Sequence, residues 1–142
     1  MTGAAGALGT PPGHYASDSG LQPFDIIDDY GFDFYQGNAL KYMLRAAKKG
    51  DFNGDLAKAI HYLEETVARL PQHNPEFEYT SVPYVDITED QVIEAFGLSG
   101  PLANAVRDLL ASALIESPQT VEYYYQGAMT SLRAAIAMSP EL

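Results

Sequence analysis

The sequence contains no cysteine among its 142 residues. This absence excludes a disulfide framework and metal sites built from thiolates, and it is compatible with a reducing cytoplasm. No segment approaches the roughly 20 apolar residues that a membrane-spanning helix needs. The first ten residues, MTGAAGALGT, also lack the basic start and the apolar run of a signal peptide. We therefore expect a cytoplasmic protein that does not use a membrane.

Basic residues are scarce as well, with 8 Lys and Arg against 19 Asp and Glu. The formal net charge of −11 makes nucleic acid an unlikely partner, because nucleic-acid binding usually requires a basic surface. Five of the eight bases nevertheless lie between Lys41 and Lys58, so this stretch carries +3 and the rest of the chain −14. Such a contrast favours a small anionic ligand over an extended polyanion. The alternative is that these bases only pair with acidic neighbours.

Several catalytic motifs are missing. The chain has no GxxxxGK phosphate loop, no GxGxxG and no GxSxG, which disfavours P-loop kinases, dinucleotide enzymes and serine hydrolases. The three histidines, His14, His61 and His73, show no HExxH spacing, so we expect no zinc site. Two sets of acids, one at 25, 28 and 29 and one at 51 and 55, have a spacing that can hold Mg²⁺, although helix caps explain them more simply.

The hydrophobic pattern predicts an all-α fold of about six helices. Residues 1–22, rich in Gly, Ala and Pro, are predicted to form a flexible arm. Proline near helix starts, Ser, Thr or Asp caps and glycine stops then set the helix boundaries. The predicted helices are 23–30, 34–49, a third that starts after a cap at Asp51 or Asn53 and reaches Leu70, 88–96, 99–116 and 117–138.

The second and third helices are joined by a short turn, which predicts an antiparallel hairpin as the core, residues 23–70. The proline-rich stretch 71–87 is predicted to be an extended connection, with a short β segment near 77–87 as an alternative. Residues 88–142 are predicted to be helices packed with this core in one domain. The last helix is more apolar than a monomer needs, which predicts a homo-oligomer formed through the C-terminal helices, or else a buried central helix.

The stretch GNALKYMLRAAKK at 37–49 holds four of the chain's bases. Lys48 and Lys49 are explained by the negative end of their helix, but Lys41 is not. Helical spacing puts Lys41 and Arg45 opposite the apolar stripe. The hairpin is then expected to bring these two residues toward Lys58 or Tyr62.

The chain from His14 to Leu70 resembles a small bacteriophage family labelled as a domain of unknown function. The resemblance rests on HY, on GNxxKYxxR followed by a KKG-like turn, and on DLxKAxxYL. These patterns are met by His14, Tyr15, Gly37, Asn38, Lys41, Tyr42, Arg45, Lys48, Asp55, Leu56, Lys58, Ala59, Tyr62 and Leu63. One branch of that family is a nucleoside-monophosphate kinase without a P-loop. The resemblance thus implies nucleotide chemistry, phage origin and work in the host cytoplasm.

Phosphoryl transfer requires mainly cations that position phosphates, which fits the same residues. We expect Lys41, Arg45 and Lys58 to contact phosphates and Asp55 to hold Mg²⁺ or a hydroxyl. The remaining predicted contacts to ligand are Asn38 to base or ribose, Tyr42 or Tyr62 stacked on the base, and His14 closing the site. ATP and Mg²⁺ are the cofactors to test. Two alternatives stay open: a protein that sequesters a nucleotide signal in host defence, and a helical oligomerisation or partner-binding module.

Overall fold

The computed structural model describes residues 20–48, 50–74 and 82–139, and these residues form α-helices and no strand. The all-α prediction is therefore confirmed. Most of the arm predicted at 1–22, with His14, lies outside the described residues, as do residues 75–81 of the connection. Residues 82–87 contain no strand, so the alternative of a short β segment is not met in this part. The helices are α1 (Pro23–Tyr30), α2 (Phe34–Lys48), α3 (Phe52–Ala68), α4 (Glu89–Ala95), α5 (Gly100–Ser112) and α6 (Pro118–Met138).

Local capping groups set most helix starts. The Asp51 carboxylate accepts a hydrogen bond from the Gly54 N–H at 3.0 Å, so Asp51 rather than Asn53 caps α3. Thr88 and Gln91 exchange the two hydrogen bonds of a capping box before α4, as predicted. Ser99 precedes α5 as predicted, but its side chain makes no capping hydrogen bond.

Two helices end two or more residues earlier than predicted. Helix α3 ends at Ala68 rather than Leu70, and α5 ends at Ser112 rather than Glu116. In both cases the next backbone N–H groups bond three residues back instead of four: Leu70 to the Val67 carbonyl and Ile115 to the Ser112 carbonyl. The last turn of each helix is thus tightened into a 3₁₀ turn, which is a common way to satisfy the backbone carbonyl groups at a helix end.

The helices share one hydrophobic core. Helices α2 and α3 form the predicted hairpin, α5 and α6 form a second packed pair, and α3 packs against α6. Residues from both pairs are fully buried in this core, among them Leu40, Leu44, Leu56, Leu63, Leu109 and Leu132. A hydrogen bond of 2.6 Å from the Gln36 amide to the Tyr125 hydroxyl also joins α2 to α6. The hairpin is therefore held on one side by the C-terminal helices.

Residues 82–87 are held against α1. The Tyr30 hydroxyl donates to the Ile87 carbonyl at 2.6 Å, and the Asp29 carboxylate accepts from the backbone N–H groups of Asp86 and Ile87. Burial, together with the nearby negative charges of Glu89 and Asp29, raises the pKa of Tyr30 to about 12.

Candidate functional site

Two tyrosines stack where α2 and α3 meet. The rings of Tyr42 and Tyr62 have centroids 6.0 Å apart and planes inclined by 10°. Phe34 contacts Tyr62 edge-on, with centroids 5.9 Å apart, and 65% of its surface is exposed. Aromatic surface reachable from solvent can stack on the rings of a ligand. The hairpin thus presents a row of three rings contributed by both helices.

Two lysines converge on one of these rings. The Lys41 Nζ lies 5.1 Å and the Lys58 Nζ 5.3 Å from the centroid of the Tyr42 ring, both within the range of cation–π attraction. We call Lys41, Tyr42, Lys58 and Tyr62 the lysine–tyrosine cluster. Neither lysine forms an ion pair with a carboxylate in the described part of the chain. For these two bases, the alternative of simple pairing with acidic neighbours does not hold among those residues.

Arg45 differs from the two lysines because it is paired. Its Nε lies 3.6 Å from Oδ2 of Asp55, whose side chain is only 3% exposed, whereas that of Arg45 is 43% exposed. Burial raises the pKa of Asp55, and the positive charges of Arg45 and Lys58 oppose this shift. The Asp55 Oδ2 atom is inaccessible to solvent and accepts no hydrogen bond from the residues that the structure describes. Arg45 is therefore the charge that compensates a buried acid.

The turn between the two helices lies beside this pair. Gly50 has a φ of 103°, in the left-handed region that favours glycine. A Cβ at this position would lie 3.4 Å from Oδ2 of Asp55 and 3.8 Å from Nε of Arg45. The sequence identified Gly50 as a helix stop only. Its place beside the Arg45–Asp55 pair depends on a side-chain contact that sequence spacing does not reveal.

The other predicted site residues have different surroundings. The Asn38 side-chain amide donates to the Phe34 carbonyl at 2.7 Å, one turn earlier in α2. Asn38 therefore lies beside the aromatic row with its N–H₂ group bonded to its own helix. His14 lies outside the described residues, so its predicted role in closing the site stays a prediction, as do the roles of the other predicted residues.

The acids considered for Mg²⁺ serve the fold. Asp25 accepts the Gln22 backbone N–H at the start of α1, Asp29 holds residues 86–87, and Asp51 caps α3. The part of the chain that the structure describes contains no group of three or more His, Asp or Glu side chains arranged to hold a metal ion. Helix capping is thus the observed use of two of these carboxylates.

A surface cavity of about 800 Å³ lies at the other end of the hairpin. It is bounded by the end of α2, the turn before α5 and the end of α6, and its lining is mostly apolar, including Ala46, Phe52, Leu98, Leu102 and Met138. Gly50 lies on its wall. The sequence could not indicate this cavity, because its lining comes from three segments distant along the chain.

None of the helices described is both long and apolar enough to span a bilayer. In a comparison with known protein families, residues 10–64 fit the model of a family described as a protein of unknown function, DUF3310. No curated protein and no solved structure matches the chain significantly. The predicted resemblance to a family of unknown function is thereby confirmed for a segment of the chain. That segment, shared with the DUF3310 family, contains both the lysine–tyrosine cluster and the Arg45–Asp55 pair.

Proposed function

We propose that the lysine–tyrosine cluster binds a nucleotide and that the protein transfers a phosphoryl group to a nucleoside monophosphate without a P-loop. The observation that carries this proposal is the convergence of two lysine ammonium groups on the Tyr42 ring, which stacks on Tyr62 in a partly buried aromatic pair. Neither lysine is ion-paired among the described residues. Phage origin and work in the host cytoplasm belong to the same proposal, because the resemblance implies them.

The phosphates and the base of a nucleotide each match a feature of this surface. Its phosphates require cations, which Lys41 and Lys58 supply from opposite helices. Its base requires a flat apolar surface, which Tyr62 and the exposed Phe34 ring supply; stacking of a base on an aromatic side chain contributes about 1–3 kcal/mol. The chain outside residues 41–58 carries a net charge of −14, which would repel a long polyanion. A small anionic ligand is therefore the better fit.

The proposed reaction makes modest chemical demands on the protein. Phosphoryl transfer depends mostly on positioning and on neutralising phosphate charge, and lysine and arginine side chains can do both. Lys41 and Arg45 are four residues apart on α2, so both can extend toward the same phosphates. ATP would be the phosphoryl donor and Mg²⁺ would neutralise its phosphates.

One observation favours a second function, binding without turnover. The carboxylate predicted to hold Mg²⁺ or a hydroxyl, Asp55, is buried against Arg45. A site with cations and aromatic rings, whose predicted metal-binding acid is buried, suits a protein that sequesters a nucleotide signal. The same cluster serves both functions, so the difference between them is product formation.

The test combines a turnover assay with a binding assay. The protein is incubated with AMP, GMP, CMP or UMP and with ATP and Mg²⁺, nucleoside diphosphate is measured by chromatography, and affinity is measured by calorimetry. We expect Lys41→Ala and Lys58→Ala to weaken binding at least about tenfold, and Lys48→Ala, an exposed lysine at the end of α2, to leave it unchanged.

Each outcome of this test assigns a function. Product formation that depends on Lys41 supports the kinase, and tight binding without product supports sequestration. If Lys41→Ala and Lys58→Ala both bind the nucleotide as tightly as the wild type, the nucleotide binds outside the cluster. Absence of any binding overturns the proposal and favours a helical oligomerisation or partner-binding module.

A further inference from the structure

Asp55 is an unusual residue for the first turn of a helix. It lies at the fourth position of α3, where acids are often solvated, but it is only 2% exposed. A buried carboxylate is costly unless a cation or hydrogen bonds compensate it. The charged groups nearest to it are Arg45 on α2, Lys58 one turn later on α3 and the acid Asp51 at the start of α3. Among the described residues, Arg45 is the one that makes an ion pair with it.

The contact uses the inner edge of the guanidinium. Asp55 meets Nε, the nitrogen closest to the Arg45 aliphatic chain, and a guanidinium carries two more nitrogens at its tip. The Arg45 side chain is 43% exposed, so part of it is accessible to solvent. Arg45 also lies three residues after Tyr42 and four after Lys41, on the same side of α2 as the cluster.

The turn lies against this pair. A Cβ at Gly50 would be in ordinary van der Waals contact with the pair, 3.4 Å from Oδ2 of Asp55 and 3.8 Å from Nε of Arg45. The left-handed φ of 103° is what favours glycine at this position. The hairpin turn, the buried acid and the half-exposed arginine thus form one packed unit at the edge of the cluster.

From this geometry we infer that Asp55 is a positioning residue, which holds the Arg45 guanidinium so that its outer nitrogens contact the phosphate of a nucleotide bound at the lysine–tyrosine cluster. Asp55 itself touches neither the ligand nor a metal ion. This inference rests on the proposed function, because it assigns the phosphate of that ligand to Arg45. It also changes the role expected from the sequence, where Asp55 was to hold Mg²⁺ or a hydroxyl.

A double-mutant cycle tests the inference. Affinities for AMP, GMP, CMP and UMP are measured for the wild type, Asp55→Asn, Arg45→Ala and the double variant. We expect Asp55→Asn to lower affinity roughly fivefold or more in the wild-type background and to have no further effect once Arg45 is removed. Equal losses in both backgrounds, or no loss in either, would overturn the inference. Glu64→Gln, an exposed acid on the same helix, controls for the change in net charge.

A spectroscopic measurement separates this inference from the proposed function. The Nε–H resonance of Arg45 in labelled protein, assigned by its loss in Arg45→Lys, should shift when a nucleotide binds and should also shift in Asp55→Asn without ligand. An unchanged resonance in Asp55→Asn overturns the inference while nucleotide binding stands. Absence of binding in the wild type overturns the proposed function first, and the inference with it.

Should Asp55→Asn fail to fold, Arg45→Lys provides the second variant. It keeps the positive charge but loses the planar Nε edge that Asp55 contacts. We expect its nucleotide affinity to fall as far as that of Arg45→Ala. An affinity equal to that of the wild type would show that placement by Asp55 is not needed.

Discussion

Tyr42 of α2 and Tyr62 of α3 stack with nearly parallel rings, their planes inclined by 10°. Each ring thus depends on the other helix for its place, and the surface they form exists only when the hairpin is in register. The Lys58 ammonium lies one turn before Tyr62 on α3 and contacts the Tyr42 ring across the hairpin. A change in either ring should therefore alter ligand binding without altering the charge of the site.

The first prediction concerns the base. Replacing Tyr62 with leucine removes aromatic surface, so we expect nucleotide affinity to fall about tenfold, the equivalent of one lost stacking contact. Replacing it with phenylalanine keeps the ring and should leave the affinity within about twofold. Calorimetric titration of the wild type and both variants with a nucleoside monophosphate measures the difference. Equal affinities for the leucine and phenylalanine variants would argue against stacking at this ring.

The second prediction concerns charge. Lys58→Glu places a negative charge beside Lys41 and should abolish nucleotide binding. Lys48→Glu is the control, because it changes the net charge equally at a position outside the cluster. Because salt screens exposed charges over about 10 Å at 0.1 M, wild-type affinity should weaken steadily as salt is raised. Titrations at three salt concentrations measure this slope. A slope that is the same in Lys58→Ala as in the wild type would contradict a phosphate contact.

The third prediction concerns the pH dependence of Arg45→Ala. Without Arg45 the buried Asp55 carboxylate has lost its ion-pair partner, and we expect a loss of about 1–2 kcal/mol in the free energy of unfolding at pH 7. Burial raises the pKa of Asp55 above the ordinary value of 3.8, so the folded state takes up a proton at higher pH than the unfolded chain. The stability linked to this acid is present at low pH and is lost as pH rises through the raised pKa.

The difference in the free energy of unfolding between the wild type and Arg45→Ala should accordingly shrink when the solution is acidified toward pH 4. Urea unfolding of the wild type and the variant at several pH values provides the measurement. Asp55→Asn combined with Arg45→Ala is the control, since it has no carboxylate to titrate. A deficit that stays constant with pH would show that Arg45 stabilises the hairpin through packing instead of charge.

The fourth prediction concerns Tyr30, whose pKa is raised to about 12 from the usual 10.0. Above pH 10 the unfolded chain loses this proton while the folded protein keeps it, so stability should fall by about 1.4 kcal/mol for each pH unit up to pH 12. Tyr30→Phe removes this slope and, at pH 7, should cost about 1 kcal/mol for the lost hydrogen bond to the Ile87 carbonyl. Denaturant unfolding between pH 7 and 11 compares the two proteins, and parallel curves would contradict the assignment.

The fifth prediction concerns assembly. Helix α6 exposes 77% of Tyr123, which fits the expectation of a homo-oligomer formed through the C-terminal helices. Tyr123→Glu should then lower the mass seen by light scattering to that of one chain. Tyr84→Glu changes a side chain that is 88% exposed but lies on the connection before α4, and it serves as the matched control. An identical mass for the wild type and Tyr123→Glu would place any interface elsewhere.

The local features of this fold could be predicted from the sequence because local groups determine them. Proline at the first turn and glycine at the end define α1 at Pro23–Tyr30, and Ser117 with Pro118 defines the start of α6. The ends of α3 and α5 were predicted too late, since the tightening of a last turn depends on how the chain packs beyond it. The short turn correctly predicted a hairpin that brings Lys41 and Lys58 together.

The details of the site required tertiary structure. Lys41 and Arg45 lie on the same helix side and looked equivalent in the sequence, but Arg45 pairs with a buried acid and Lys41 contacts Tyr42. The difference arises because α3 places Asp55 opposite Arg45 and Lys58 opposite Tyr42. The burial of Asp55 at a helix start runs against the usual preference of acids for solvent, so no sequence pattern indicated it.

The hydrogen bond between Gln36 and Tyr125 has a consequence for any attempt to study the hairpin by itself. Tyr125 lies in α6, beyond the segment that matches the family model, and Leu63 and Leu132 share one interior although only Leu63 belongs to that segment. A peptide cut after residue 74 would keep the residues of the lysine–tyrosine cluster but would expose the apolar face that α6 covers. Such a fragment should aggregate, so the minimal soluble unit for ligand work includes α6.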